Sequence, residues 1–131
     1  MSRMSLILLV LATLGLAACG GDGGDGGSDG GSAASVTIVA GDLFFEHDGT
    51  STEDGALTVE VAAGQVEVTL DNQGSTLHNF VIEELGDQKL AEAEGGGSDA
   101  GTVTLESGSY TFYCDIEGHR EVGMQGTVTA G

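Results

Sequence analysis

A chain of 131 residues, with 21 acidic and three basic side chains and a formal charge of −18 at neutral pH, has room for one domain and repels nucleic acid. Hydrophobic residues make up 40% and aromatics 5%, enough for one modest β core rather than a disordered chain. The acidity would steer cationic partners or serve solubility in salt, and composition leaves both readings open.

In chain order, the first element is a leader. Met-Ser-Arg-Met supplies a basic start, and an apolar run from Leu6 to Leu16 follows, too short to span a bilayer comfortably. The small residues Ala17 and Ala18 then precede Cys19. The segment resembles a lipoprotein signal of the lipobox type, which implies a signal peptide over 1–18 and diacylglycerol transfer to the Cys19 thiol. Each buried lipid methylene contributes about 0.8 kcal/mol, so two or three acyl chains would hold the protein on a membrane. The expected location is extracytoplasmic, periplasmic or at the cell surface. From Cys19 to Ser35 the chain is a lipidated cysteine followed by a Gly/Asp/Ser-rich stretch with no apolar face. Such a segment is a flexible tether with a root-mean-square span of about 20 to 24 Å.

The remaining residues, 36–131, read as strands. Apolar residues alternate at Val36, Ile38 and Ala40, at Leu57, Val59 and Val61, and at Val66, Val68 and Leu70. Turn chemistry stands between them at Asp48-Gly49, Asp54-Gly55, Ala63-Gly64 and Asn72-Gln73-Gly74, short enough to predict antiparallel neighbours. Further strands are expected at 78–83, 102–106, 109–114 and 126–130. The pattern predicts an all-β, Greek-key β-sandwich of seven to eight strands, with one short helix over 87–94 laying Leu90, Ala91 and Ala93 on the sandwich. In the 109–114 strand, alternation puts Tyr110, Phe112 and Cys114 on the core face.

Four residues carry the chemistry. With Cys19 acylated, Cys114 has no disulfide partner, and a lone thiol in a secreted domain needs a reason. His119 and Met124 follow it at Cys-x4-His-x4-Met spacing, and His78 lies upstream in Leu-His-Asn-Phe. Thiolate, two imidazoles and a weak thioether are the donor set of a trigonal copper site, since thiolate and thioether suit Cu(I) and imidazole suits both oxidation states. His47, outside this pattern, is expected to be a solvated loop histidine.

The segments from Leu77 to Ile82 and from Tyr110 to Val128 resemble the cupredoxins, the blue-copper family that includes plastocyanin, azurin, halocyanin and rusticyanin. The resemblance extends over about 36–130. It implies one copper ion held by His78, Cys114, His119 and Met124, and a role as a one-electron carrier, not an enzyme, between redox proteins. By the same resemblance Asn79 would hydrogen-bond across to the ligand loop and hold Cys114 in place. His119 would be the electron port, ringed by Ile116, Val122 and Leu77. A single loop cysteine argues against a binuclear copper centre. Copper storage or delivery is the alternative, although storage sites are rich in Met or Cys and the mature chain keeps only Met124 and one non-lipid cysteine. A monomer is expected.

Two departures from the family stand out. The chain contains no proline, which raises the entropy of its unfolded state and puts loop stiffness in question. Asp115, Glu117 and Glu121 crowd the ligand loop with only Arg120 opposing them. Negative charge favours Cu(II), so a lowered potential is expected, by tens of millivolts per charge on the order of magnitude at about 10 Å.

Overall fold

The computed structural model describes residues 32–131, so the leader, Cys19 and most of the tether lie outside the described residues. One sheet holds β1 (Ala34–Ala40), β2 (Phe45–His47), β3 (Thr50–Ser51), β5 (Gly64–Asn72) and β8 (Ser98–Leu105), in the order β3-β2-β1-β5-β8. The other holds β4 (Thr58–Val61), β6 (His78–Ile82), β7 (Gln88–Ala93), β9 (Gly108–Tyr113) and β10 (Gln125–Ala130), in the order β4-β10-β9-β6-β7. Two 3₁₀ turns, Glu83–Leu85 and Arg120–Val122, are the helical elements among the described residues. None of them is long and apolar enough to cross a membrane.

The β-sandwich expected from the alternation is present, because each strand turns one row of side chains inward. Val36, Ile38 and Ala40 of β1 and Val66, Val68 and Leu70 of β5 are buried from one sheet; Val59, Phe80, Ile82, Phe112 and Val128 meet them from the other. Three phenylalanines centre this core. Phe80 and Phe112 stack at 4.7 Å between centroids, and Phe45 tilts against them at 6.4 and 5.6 Å. Tyr110 is only half-buried, and its hydroxyl donates to the Glu106 carbonyl at 3.0 Å, tying down the corner that opens β9.

Three expectations need correction. The structure has ten strands rather than seven or eight, since β2 and β3 are too short to show alternation. No helix spans 87–94. Gln88–Ala93 is a strand that pairs antiparallel with β6, Phe80 opposite Ala91 and His78 opposite Ala93. Its residues are good helix formers, but Ala91 and Ala93 are buried at period two, and pairing overrides propensity. Nor are β4 and β5 antiparallel neighbours across Ala63-Gly64. The chain there changes sheet, β4 running parallel to β10 and β5 parallel to β1. The β1–β5 pairing starts at Ala34 opposite Val66, so β1 includes the last two residues assigned to the tether.

Candidate metal centre

β6 opens with His78, whose five-residue strand is buried throughout. β9 ends at Tyr113 and hands over to Cys114, and His119 and Met124 follow before β10 begins. These elements are neighbours in one sheet, with β6 paired to β9 and β9 to β10. His78, Cys114 and Met124 are fully buried and His119 is partly buried. One donor atom from each of His78, Cys114 and His119 falls within 4.8 Å of the others. Both imidazoles turn Nδ1 toward the sulfur, at 3.9 Å for His78 and 3.5 Å for His119. The two rings sit 5.0 Å apart. Met124 is locked beside them: its N–H donates to the His119 carbonyl and its carbonyl accepts from the Cys114 N–H, both at 3.1 Å.

The surroundings fix these donors. Asn79 reaches across to the residue after the thiol, its Oδ1 accepting from the Asp115 N–H at 2.8 Å and its Nδ2 donating to the Asp115 carboxylate. Lys89 closes the same cluster by binding Glu92 at 2.6 Å. Asn72 was legible only as a turn residue, yet it is buried: its Nδ2 donates to the Thr76 and Ala93 carbonyls at 2.7 and 2.8 Å, and its Oδ1 accepts from Gly74 N–H at 3.0 Å. It thereby shapes the connection that delivers His78. The ligand loop turns at Gly118 and Gly123, with φ of 84° and 110°, where a side chain would be strained. Gly126 serves otherwise. A Cβ there would meet the Phe112 ring at 2.4 Å, so its role is close packing rather than turning.

At the same end, Val122 is 57% exposed, with Ile116 and Leu77 half-buried. Leu43, 49% exposed, is an apolar residue that the sequence did not single out. It follows Asp42, whose carboxylate accepts from both the N–H and the hydroxyl of Ser75, three residues before His78. His47 is corrected from a solvated loop residue: it lies on β2, half-buried, donating from Nδ1 to the Thr37 carbonyl at 2.9 Å. It takes no part in the donor cluster.

Burial, helped by the nearby His119, holds the His78 imidazole below its ordinary value of 6.5, and burial pushes the Cys114 thiol above its ordinary 9.0. In the copper-free protein the unfolded chain therefore takes up a proton at position 78 before the folded one does, and stability declines as pH falls below about 6.5. On the other side the unfolded thiol loses its proton first, so stability declines as pH rises above about 9. Carboxylates held low by hydrogen bonds, such as Glu84 and Glu92, lose their contribution only at more acid pH. Urea midpoints measured from pH 5 to 10 should show a plateau between the two limits; a flat profile from 6.5 to 5 would contradict a buried neutral His78.

The chemistry of the donor set decides what fits. A buried thiol and two convergent imidazoles, one buried and one partly so, with a buried thioether residue beside them and no carboxylate in the cluster, suit a single type 1 copper ion better than hard cations that seek oxygen. Zinc would take the three strong donors but has no use for a thioether.

No curated protein matches the chain in sequence. Among solved structures, auracyanin from the photosynthetic bacterium Roseiflexus castenholzii is 21% identical with a TM-score of 0.58, over 76% of this chain and 98% of that one. Auracyanin A, a blue copper protein of Chloroflexus aurantiacus, is 20% identical with a TM-score of 0.57, over 76% and 99%. Reduced rusticyanin is 25% identical with a TM-score of 0.56, over 76% and 81%. Residues 52–130 match the model of the cupredoxin-like domain. That span takes in β4 to β10 and all four donor residues, and the chain belongs to the cupredoxin-like domain family.

Proposed function

We propose that this protein is a membrane-anchored, extracytoplasmic one-electron carrier, with copper held by His78, Cys114, His119 and Met124 and a lipid anchor on Cys19. The convergence of three donor atoms at one end of the sandwich, two of them from fully buried residues, carries the reading. When bound, copper supplies a Cu(I)/Cu(II) couple. What the protein adds is rigidity. His78 is set by a buried strand, and Cys114 and Met124 are cross-linked through their backbones, so the donors need little movement between oxidation states. Asn79 clamps the residue after the thiol. His119, the least buried donor, is the route for the electron, beside the apolar residues Val122, Ile116 and Leu77.

The charge pattern supports redox partners with cationic docking surfaces. Both cations of the described residues, Lys89 and Arg120, are engaged in ion pairs, which leaves the acidic field uncompensated around the apolar rim. Exposed Glu117 and Glu121 lie beside that rim and favour Cu(II) over Cu(I).

Adding Cu(II) to the purified protein tests the assignment. An intense visible thiolate charge-transfer band, bleached reversibly by ascorbate, is expected; a colourless complex would overturn the reading.

A further inference from the structure

Arg120 follows the loop imidazole directly, and its guanidinium reaches the residues next to Cys114 and Met124 and the turn beyond the strand that opens with His78. The guanidinium carbon lies 4.2 Å from the centroid of the Tyr113 ring, the residue before Cys114. Nε donates to Gln125 Oε1 at 3.0 Å, the residue after Met124. The two terminal nitrogens grip both oxygens of Glu83, at 3.3 and 3.0 Å, immediately beyond the strand that opens with His78. One planar group thus joins the segments that carry all four donors.

The far end of this bridge is itself braced. Glu83 belongs to the β6–β7 turn, whose other acids hold the same wall of the molecule. Glu84 Oε2 accepts from the Thr111 N–H at 2.6 Å, and Asp87 Oδ1 accepts from the Tyr113 hydroxyl at 2.8 Å. Asp87 does this from a left-handed backbone, φ 57°, which a non-glycine residue adopts at a cost. An exposed Arg–Glu pair by itself contributes little. Here the pair is one of three contacts made by a single rigid group, and the loop it braces contains no proline to stiffen it.

We propose that Arg120 is a positioning residue of the metal site, whose planar fork and stacked face, rather than its charge, hold the ligand loop against β6 before metal arrives. The inference rests on the copper assignment above. Lysine would keep the charge but present neither the bidentate fork nor the flat face, so Arg120→Lys separates the two roles.

The test uses the full chain with Arg120→Lys, Arg120→Gln and Glu83→Gln, and with Glu60→Gln, an exposed residue of β4, as a control for charge elsewhere on the same sheet. Amide hydrogen exchange over residues 115–125 is measured without metal; the copper hyperfine splitting, the visible band and copper affinity are measured with it. Arg120→Lys and Arg120→Gln should both speed loop exchange, alter the Cu(II) spectrum and weaken copper binding about 10- to 100-fold, the range for residues that orient metal ligands. Glu83→Gln should produce part of the effect, and Glu60→Gln should leave loop exchange unchanged. Wild-type exchange and spectrum in Arg120→Lys would overturn the proposal and leave Arg120 a mere charge. Should the wild-type chain form no coloured complex, the copper reading falls, while loop exchange without metal still decides the role of Arg120.

Discussion

Replacing Cys114 with serine is expected to abolish the visible charge-transfer band outright while leaving a folded sandwich. The band requires a thiolate on Cu(II), and no other thiol lies among the described residues. Copper should still bind, weakly and without colour, through the two imidazoles, and the preference for Cu(I) that soft sulfur supplies should fall away. The fold should survive because serine matches cysteine in shape and the backbone bond from position 114 to the Met124 carbonyl is independent of the side chain. Burying a hydroxyl where a thiol sat still costs about 1 to 3 kcal/mol unless the hydroxyl finds a partner, and the neighbouring imidazoles offer one. Visible and electron-spin spectra after Cu(II) addition, with a urea titration of the copper-free variant, check both halves. A persisting intense band would remove Cys114 from the site.

How much of this was legible in the sequence follows from what each residue's role depends on. The four donors were legible because their chemistry is carried by residue type and order along the chain, whereas Asn79 was named only through the resemblance to the cupredoxins. Arg120 could not be found in its bridging role. Nothing in the one-dimensional pattern says that the turn after β6 packs against the ligand loop, and the contact spans 37 residues. Asn72 was hidden for a related reason, since Asn-Gln-Gly reads as an ordinary turn until Ala93 is seen to lie within reach of its amide.

Strands failed where local and tertiary signals disagreed. Gln88–Ala93 is composed of helix formers and lacks any β-branched residue, yet the open edge of β6 needed a partner, and Ala91 and Ala93 are small enough to lie flat against Phe80 and His78. Between β4 and β5 the error was of another kind. A short Gly-containing link is common to hairpins and to arches between sheets, and only the parallel partners, β10 for one and β1 for the other, tell them apart.

Phe112→Ala should be the most damaging single truncation in the core. Phe112 is fully buried two residues before Cys114, and it stacks on Phe80, two residues after His78, with the ring planes only 17° apart. Alternation along both strands therefore sets this pair directly behind the thiol and the first imidazole. Phe45 reaches it from the opposite sheet, so truncation opens a void between layers that three different strands would have to close. Such a substitution costs about 3 to 5 kcal/mol, against a total of roughly 5 to 15 kcal/mol for a domain. For some hundred residues this lowers the melting temperature by roughly 15 to 30 °C. Phe112→Leu, which keeps most of the volume, should cost much less. The consequence for the metal site is separable from stability: at a temperature where Phe112→Ala remains folded, the backing of Cys114 and His78 is lost together, and the Cu(II) spectrum should broaden relative to Phe112→Leu. A melting shift under about 4 °C for Phe112→Ala would mean that the phenylalanine stack is not what joins the two donor strands.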